Sequence, residues 1–321
     1  MGGGEREMCE LGIELANRGH DVEFYALPFL MGSKPKANPV DLLGEIPYHE
    51  AWSQKVHADV AYTFYHPLST LNFRVKGKRI ASFHSQAFFL RSVNRQYGLV
   101  PALASYGTRI IGPLELRSFD AVHTHFPHHT LKHHRVYTIP GWVDTSVFKP
   151  ATQKYDEFTV LFSGRALWQK GWDIYVNLAR RMKDLGVRFL YVGGVVKDSV
   201  IRSLGFQWNA VALSRIYNNS HVLLNPSRAD TFGRTSIESM ACGTPVVASP
   251  SRLHSGLNLP FVFGNSIAEY EESILGLKRL WEEGKPYSQL SSRCSQAAQA
   301  FSFGNTVTAY EKMFSDVLHG V

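Results

Sequence analysis

Short β-branched or aromatic runs alternate with longer amphipathic stretches along this 321-residue chain, and that alternation constrains its fold more than any other feature. Strands are expected at 21–26, 59–65, 79–84, 121–124, 136–139, 159–163, 188–192, 221–225 and 245–249. The helical stretches among them, such as 5–18, 172–185 and 236–242, are bounded by Gly or by a capping residue. Strand and helix in this order build parallel sheets through right-handed crossovers, so the expected class is α/β. The length exceeds what one core usually serves, and Ile139-Pro140-Gly141 with Lys149-Pro150 punctuates the middle of the chain. Two sheet domains facing across a cleft are therefore expected, with the boundary near residue 150. In open sheets of this kind ligands lie beyond the carboxyl ends of the strands, which directs the search to the loops that follow them.

Composition narrows the class further. With 44% hydrophobic and 19% charged residues the chain buries large cores, which excludes a disordered, fibrous or coiled-coil protein. Cys9, Cys242 and Cys294 stand far apart and form no CxxC pair, so no disulfide framework is expected and the compartment is read as reducing. No run of 18 apolar residues occurs and the N-terminus lacks a basic stretch followed by an apolar one. The expectation is a cytoplasmic protein, with association at a membrane surface left open. Gly2-Gly3-Gly4 runs straight into a helical pattern and looks like the turn after a first strand, yet no strand precedes it. A central strand of the first sheet is expected to be absent, either because the recorded start is internal to a longer gene product or because the strand is supplied otherwise.

Two segments carry chemistry. The first runs Asn225-Pro226-Ser227-Arg228-Ala229-Asp230-Thr231-Phe232-Gly233-Arg234-Thr235-Ser236-Ile237-Glu238-Ser239-Met240-Ala241-Cys242-Gly243-Thr244-Pro245-Val246-Val247-Ala248 and reads as strand, loop, helix, glycine stop, strand. Asp230 falls in the loop and Glu238 in the first helical turn, so both can point into one cleft, while the backbone at Phe232, Gly233 and Arg234 precedes a helix N-terminus that favours phosphate. Thr235 and Glu238 also have capping-box spacing, so Glu238 either meets a ligand or only satisfies the Thr235 amide. The second segment, Phe162-Ser163-Gly164-Arg165-Ala166-Leu167-Trp168-Gln169-Lys170-Gly171, offers a planar guanidinium and a point charge just after a strand. Such a pair neutralises a diphosphate, although two cations in a loop are as readily plain solvated surface.

Together with Gly2-Gly3-Gly4-Glu5 and Leu15-Ala16-Asn17-Arg18-Gly19-His20-Asp21-Val22, these segments resemble the family-4 retaining glycosyltransferases of GT-B fold. That family carries GGxE near its first helix, a GR-x4-KG loop, and an E-x7-E motif within E-x-FG-x4-E-x-MA-x-G-x-PVV. The resemblance runs from residue 2 to the end, since Ile139-Pro140-Gly141-Trp142-Val143-Asp144 is similar to the hinge-proximal IPNGVD and 301–318 to the closing helix. It implies an α/β chain of two Rossmann-like domains, an acceptor-side domain at 1–150 and a nucleotide-sugar-binding domain at 151–300, with a helix at 301–321 crossing back to the first.

By the same resemblance, Glu238 would bind the ribose hydroxyls of a nucleotide sugar, and Arg165 with Lys170 would hold its diphosphate. Phe232, Gly233 and Arg234 would approach the donor through backbone groups, with Thr235 beside them, and Gly3 and Gly4 would close over it from the first domain. Asp230 stands where the family has its first Glu, which reaches the transferred sugar, and His84 in Ser82-Phe83-His84-Ser85 resembles the histidine near the reaction centre. Two departures stand out: Asp230 is one methylene shorter than Glu, and Gly141-Trp142 replaces Asn-Gly. Retention without an evident paired nucleophile fits a front-face displacement in which the departing phosphate oxygen helps deprotonate the acceptor, so the main task is stabilising charge on the leaving diphosphate. No Asp-x-Asp occurs, so a metal clamp is not called for; no cofactor is expected, and the nucleotide diphosphate sugar is the donor substrate.

Eleven of the 14 histidines precede residue 150, among them His123, His125, His128, His129, His133 and His134. They read either as a metal cluster or, more plainly, as exposed imidazoles around a strand end. Residues 74–135 hold ten Lys or Arg against two acids in a chain of net charge +7, so this segment contains the whole excess. It reads as a solvated helix face or as a patch docking on anionic lipid near a lipid-linked or glycan acceptor. A nucleotide-sugar epimerase of the same fold and a non-catalytic basic binding protein are the competing functions; no nucleic-acid partner is expected, because no motif for one is visible.

Overall fold

The computed structural model describes residues 3–28, 43–65, 69–83, 112–125, 133–151, 153–228, 232–250 and 259–320. The chain divides into two compact units, Met1–Gly141 with Thr306–Val321, and Trp142–Asn305.

The second unit is a six-stranded parallel sheet of β7 (Thr159–Ser163), β8 (Arg188–Val192), β9 (Ile201–Ser203), β10 (Val222–Asn225), β11 (Val246–Ala248) and β12 (Val262–Phe263), in spatial order β12-β11-β10-β7-β8-β9. This is the doubly wound order, which reverses between β7 and β10. The central strands read as near-continuous apolar runs because helices cover both faces. Successive residues sort to opposite cores: Leu161, Leu190, Val192 and Leu223 join one cluster, Val160, Phe162, Phe189 and Val222 the other. The first face is packed by α4 (Ala210–Asn219) and α5 (Arg234–Ala241) through Tyr217, Ile237 and Met240. The second is packed by α3 (Trp172–Arg181) and α6 (Ile267–Glu283) through Tyr175, Leu178, Ile274 and Leu277. A further helix, α7 (Lys285–Ala298), places Cys294 and Ala298 in the first cluster. Ends of β7 and β8 coincide with the sequence expectation, whereas β9 and β12 are too short to show a period and were not foreseen.

The first unit contains α1 (Gly3–Asn17), a parallel pair β1 (Phe24–Ala26) and β2 (Tyr48–Glu50), and a parallel sheet β3-β4-β5-β6. These strands are Gln54–Phe64, Phe73–Phe83, Ala121–Thr124 and Val136–Thr138, with the single turn α2 (Ser69–Asn72) between β3 and β4. The last helix, α8 (Phe303–His319), belongs to this unit from Thr306 onward. There Arg18 donates to Glu311 at 2.8 Å, and Tyr310 and Phe314 each place a ring 5.8 Å from that of Tyr62. Among the described residues β1 pairs only with β2 and β3 only with β4, and both strands border one cavity of about 2380 Å³ with α1 and α8.

Two expectations for this unit are corrected. Gly3 and Gly4 form the first turn of α1 and not a loop ahead of it. His123 and His125 are buried, not exposed imidazoles, at 0% and 2% exposure. His123 sits between the Tyr62 hydroxyl, 2.7 Å from Nδ1, and the Ile139 carbonyl, 2.9 Å from Nε2; His125 Nε2 lies 3.4 Å from Glu7. Burial demands partners for every imidazole nitrogen, and this network supplies them. Among the described residues no group of three His, Cys, Asp or Glu is placed to hold a metal ion, and no helix is long and apolar enough to cross a membrane.

Candidate active site

Two loops leave the carboxyl ends of β7 and β10, the neighbouring strands at which the sheet order reverses. Strands diverge from one side to the other at such a point, so the loops there splay apart and leave room for a ligand. The first loop carries the cations. Gly164 is held to β8 by its amide, 2.9 Å from the Val192 carbonyl; Arg165 follows, exposed; Trp168–Lys170 then form one 3₁₀ turn with Lys170 half-buried. Gly171 closes that turn at φ 76° and opens α3. A Cβ on Gly171 would lie 2.4 Å from the Pro226 carbonyl oxygen, so only glycine lets the first loop touch the second.

The second loop leads into α5. Asn225 donates to the Ser236 hydroxyl at 2.8 Å, tying the strand end to the helix start. Gly233 caps α5 in the left-handed region, at φ 69°, with no side-chain hydrogen bond. The capping-box reading of Glu238 is therefore corrected: the helix is capped by Gly233, Thr235 lies within its first turn, and Glu238 is two residues further in than the spacing suggested. Gly233 supplies no side-chain hydrogen bond to this end of α5, and the helix dipole there favours an anion.

Glu238 is buried, at 5% exposure, and its partners explain how a carboxylate is tolerated there. Arg234 Nε donates to Oε1 at 3.0 Å, and the Tyr217 hydroxyl donates to Oε2 at 3.1 Å. Tyr217 in turn lies 3.0 Å from the Ser163 hydroxyl, the last residue of β7 before the cation loop. Burial, reinforced by the charge of Glu238, pushes the Tyr217 phenol far above its ordinary range, so it remains a donor. A chain of polar contacts thus runs from the base of the Arg165 loop through Tyr217 and Glu238 to Arg234. Sequence reasoning does not point to Tyr217, because nothing in the order of residues shows that α4 turns it toward α5. Phe232 is buried with its ring 5.9 Å from that of Phe301, so this residue can meet a ligand only through its backbone.

Residues 157–276 match the family model described as glycosyl transferases group 1. The second unit belongs to the group 1 glycosyltransferases. Curated relatives similar to this chain include D-inositol 3-phosphate glycosyltransferase 1 of Catenulispora acidiphila, 26% identical over 223 residues, or 58% of this chain and 53% of that one. D-inositol 3-phosphate glycosyltransferase of Mycobacterium bovis is 27% identical over 207 residues, covering 54% of this chain and 42% of its own. The chain thus spans about half the length of the curated relatives it matches. Among solved structures, sucrose-phosphate synthase from Thermosynechococcus elongatus superposes with a TM-score of 0.75 at 18% identity, covering 100% of this chain and 94% of that one. Anabaena HepE, solved with UDP and glucose, gives 0.73 at 15% identity, covering 100% and 96%. These likenesses show the GT-B type fold over the whole chain.

Within the glycosyltransferase domain, Arg165, Lys170, Phe232, Gly233, Arg234, Thr235 and Glu238 all lie on the two switch-point loops or the helix they lead to. Asp230 and, in the first unit, His84 lie outside the described residues, as does most of the basic segment 74–135.

Proposed function

We propose that the protein transfers a sugar from a nucleoside diphosphate sugar to an acceptor with retention of configuration. The observation that carries this reading is the buried Glu238 carboxylate, held by Tyr217 and Arg234 on the helix that starts at the switch point. A carboxylate fixed in that position accepts hydrogen bonds from the two ribose hydroxyls of a nucleotide, while the α5 N-terminus, Arg165 and Lys170 meet the diphosphate. Those cationic and dipolar groups have their largest effect as the sugar–phosphate bond breaks and charge develops on the leaving group. Asp230 and His84 are the residues assigned to the transferred sugar, on the family resemblance, and the donor needs no cofactor in this scheme. The HepE structure, solved with UDP and glucose, makes UDP-sugars the first donors to try.

A thermal-shift panel of UDP-glucose, GDP-mannose and ADP-glucose tests the reading, because a ligand that binds only the folded chain raises its Tm. One of the three is expected to stabilise the wild type, with Glu238→Gln weakening that nucleotide sugar by about 10- to 100-fold, the scale of a hydrogen bond to a charged group. No stabilisation by any of them, or unchanged affinity in Glu238→Gln, overturns the assignment. The configuration of the new bond is read separately from the anomeric proton coupling of the product.

A further inference from the structure

We propose that Arg228 is a positioning residue that clamps the cation loop to the loop entering α5 and thereby sets where Arg165 and Lys170 stand relative to Glu238. This rests on the donor-site reading given above. The Arg228 guanidinium is used on its edges and its face. Nη1 donates to the Trp168 carbonyl at 2.6 Å and to Asp173 Oδ1 at 2.7 Å, and Nη2 donates to Asp173 Oδ2 at 2.8 Å. The guanidinium carbon lies 4.1 Å from the centroid of the Trp168 ring. The main chain continues the seam, since the Arg228 amide donates to the Gln169 carbonyl at 2.8 Å and the Ser227 hydroxyl to the same oxygen at 3.3 Å.

Every one of these acceptors belongs to the turn that carries Lys170 or to the first turn of α3 just after it. Arg228 itself lies between the end of β10 and the Gly233 cap of α5. One side chain therefore spans the two structures that would hold the donor. The fork toward Asp173, the carbonyl contact and the stacked ring together need a planar guanidinium; a lysine ammonium could satisfy one of them at a time. Because its charge is matched in bidentate fashion by Asp173, Arg228 is committed to the clamp and is not a third diphosphate ligand. The pair is also partly exposed, with side-chain exposures of 29% and 49%, and exposed pairs contribute little to global stability. What the clamp governs is local geometry, to which transfer is sensitive: a misplacement of about 1 Å costs on the order of 10²-fold in rate.

The test uses the full chain with Arg228→Ala, Arg228→Lys, Asp173→Ala and the Arg228→Ala/Asp173→Ala double variant. The substrate is whichever of UDP-glucose, GDP-mannose or ADP-glucose stabilises the wild type, and donor hydrolysis is followed by release of the nucleoside diphosphate. Arg228→Ala and Asp173→Ala are each expected to lower kcat by about 10- to 100-fold with a smaller change in donor KM. The double variant should be no worse than either single one, Arg228→Lys should fail to restore the rate, and the ligand-free Tm should move by less than about 3 °C. Wild-type kcat in Asp173→Ala together with a raised donor KM in Arg228→Ala would make Arg228 a direct phosphate ligand and overturn the proposal. Rescue by Arg228→Lys overturns it as well, and so does a rate loss that tracks a fall in Tm across the set, which would mark a structural role. If the wild type neither binds nor hydrolyses any of the three donors, the donor-site reading itself falls; variants indistinguishable from an active wild type sink the clamp alone.

Discussion

At the scale of single residues, the two switch-point loops and the helices beside them hold side chains already engaged by the protein and side chains turned outward. Glu238, Tyr217 and Arg228 are engaged: each has geometric partners within 3.1 Å that fix its rotamer. Arg165 is exposed on a loop anchored at its base by the Gly164 amide. A fixed carboxylate beside a turn bearing cations is an arrangement for one anionic, hydroxylated ligand. Replacing Arg165 or Lys170 by Ala is expected to reduce turnover by about 10²-fold or more, the scale of losing one oxyanion donor. The fall should appear mainly in kcat, because the charge they stabilise grows as the sugar–phosphate bond breaks. Steady-state rates of sugar transfer or donor hydrolysis check this, and wild-type turnover in both variants refutes the assignment. The sequence made Arg165, Lys170 and Glu238 legible because each sits at a fixed offset from a glycine or a strand end. Tyr217 and Asp173 were not legible as site residues, since their contribution depends on helices folding back over the loops.

At the scale of elements, glycines decide how the loops meet. Gly171 and Gly233 both adopt left-handed backbone, one ending the 3₁₀ turn and the other beginning α5. Reading Thr235 and Glu238 as a capping box failed because a box needs Thr235 at the N-cap, whereas Gly233 takes that place and moves the helix start two residues toward the loop. Gly171→Ala should cost the second unit about 2 kcal/mol or more, combining the left-handed backbone with a Cβ placed against the rigid Pro226 carbonyl. Urea unfolding followed by tryptophan fluorescence measures that loss. A companion Gly276→Ala, in open space within α6, should be neutral or slightly stabilising and controls for simple loss of glycine. Equal midpoints for the two variants would mean that the loop contact at Pro226 is not tight. Strands of five residues, such as β7 and β8, were legible from β-branched and aromatic content, and β2, β9 and β12 were not, because two or three residues carry no period.

At the scale of the whole molecule, the amino-terminal ends of the second unit's strands hold a polar cluster at the opposite end of the sheet from the switch-point loops. His221, the residue before β10, accepts from the Thr159 amide through Nδ1 at 3.0 Å and has its ring 5.2 Å from Phe158 and 4.6 Å from Trp281. Lys154 donates nearby to the Ser220 carbonyl at 2.6 Å and the Thr244 hydroxyl at 2.9 Å. Burial, helped by the Lys154 charge, pushes the His221 imidazole down to about 3 from the usual 6.5. Burial likewise pulls the Lys154 ammonium down to about 8. The sign for His221 follows directly: below pH 6.5 the unfolded chain takes up a proton that the folded one refuses until near pH 3, so its contribution is complete above pH 6.5 and is lost as acid is added through that window. One proton limits the slope to about 1.4 kcal/mol per pH unit. His221→Asn keeps an acceptor for the Thr159 amide through Oδ1 and removes the titration. Between pH 7 and pH 5 the wild-type Tm should therefore fall by several degrees more than that of His221→Asn, measured by calorimetry. Parallel Tm curves for the two proteins would mean that the imidazole protonates in the folded state and that the packing of Phe158 and Trp281 against it admits water.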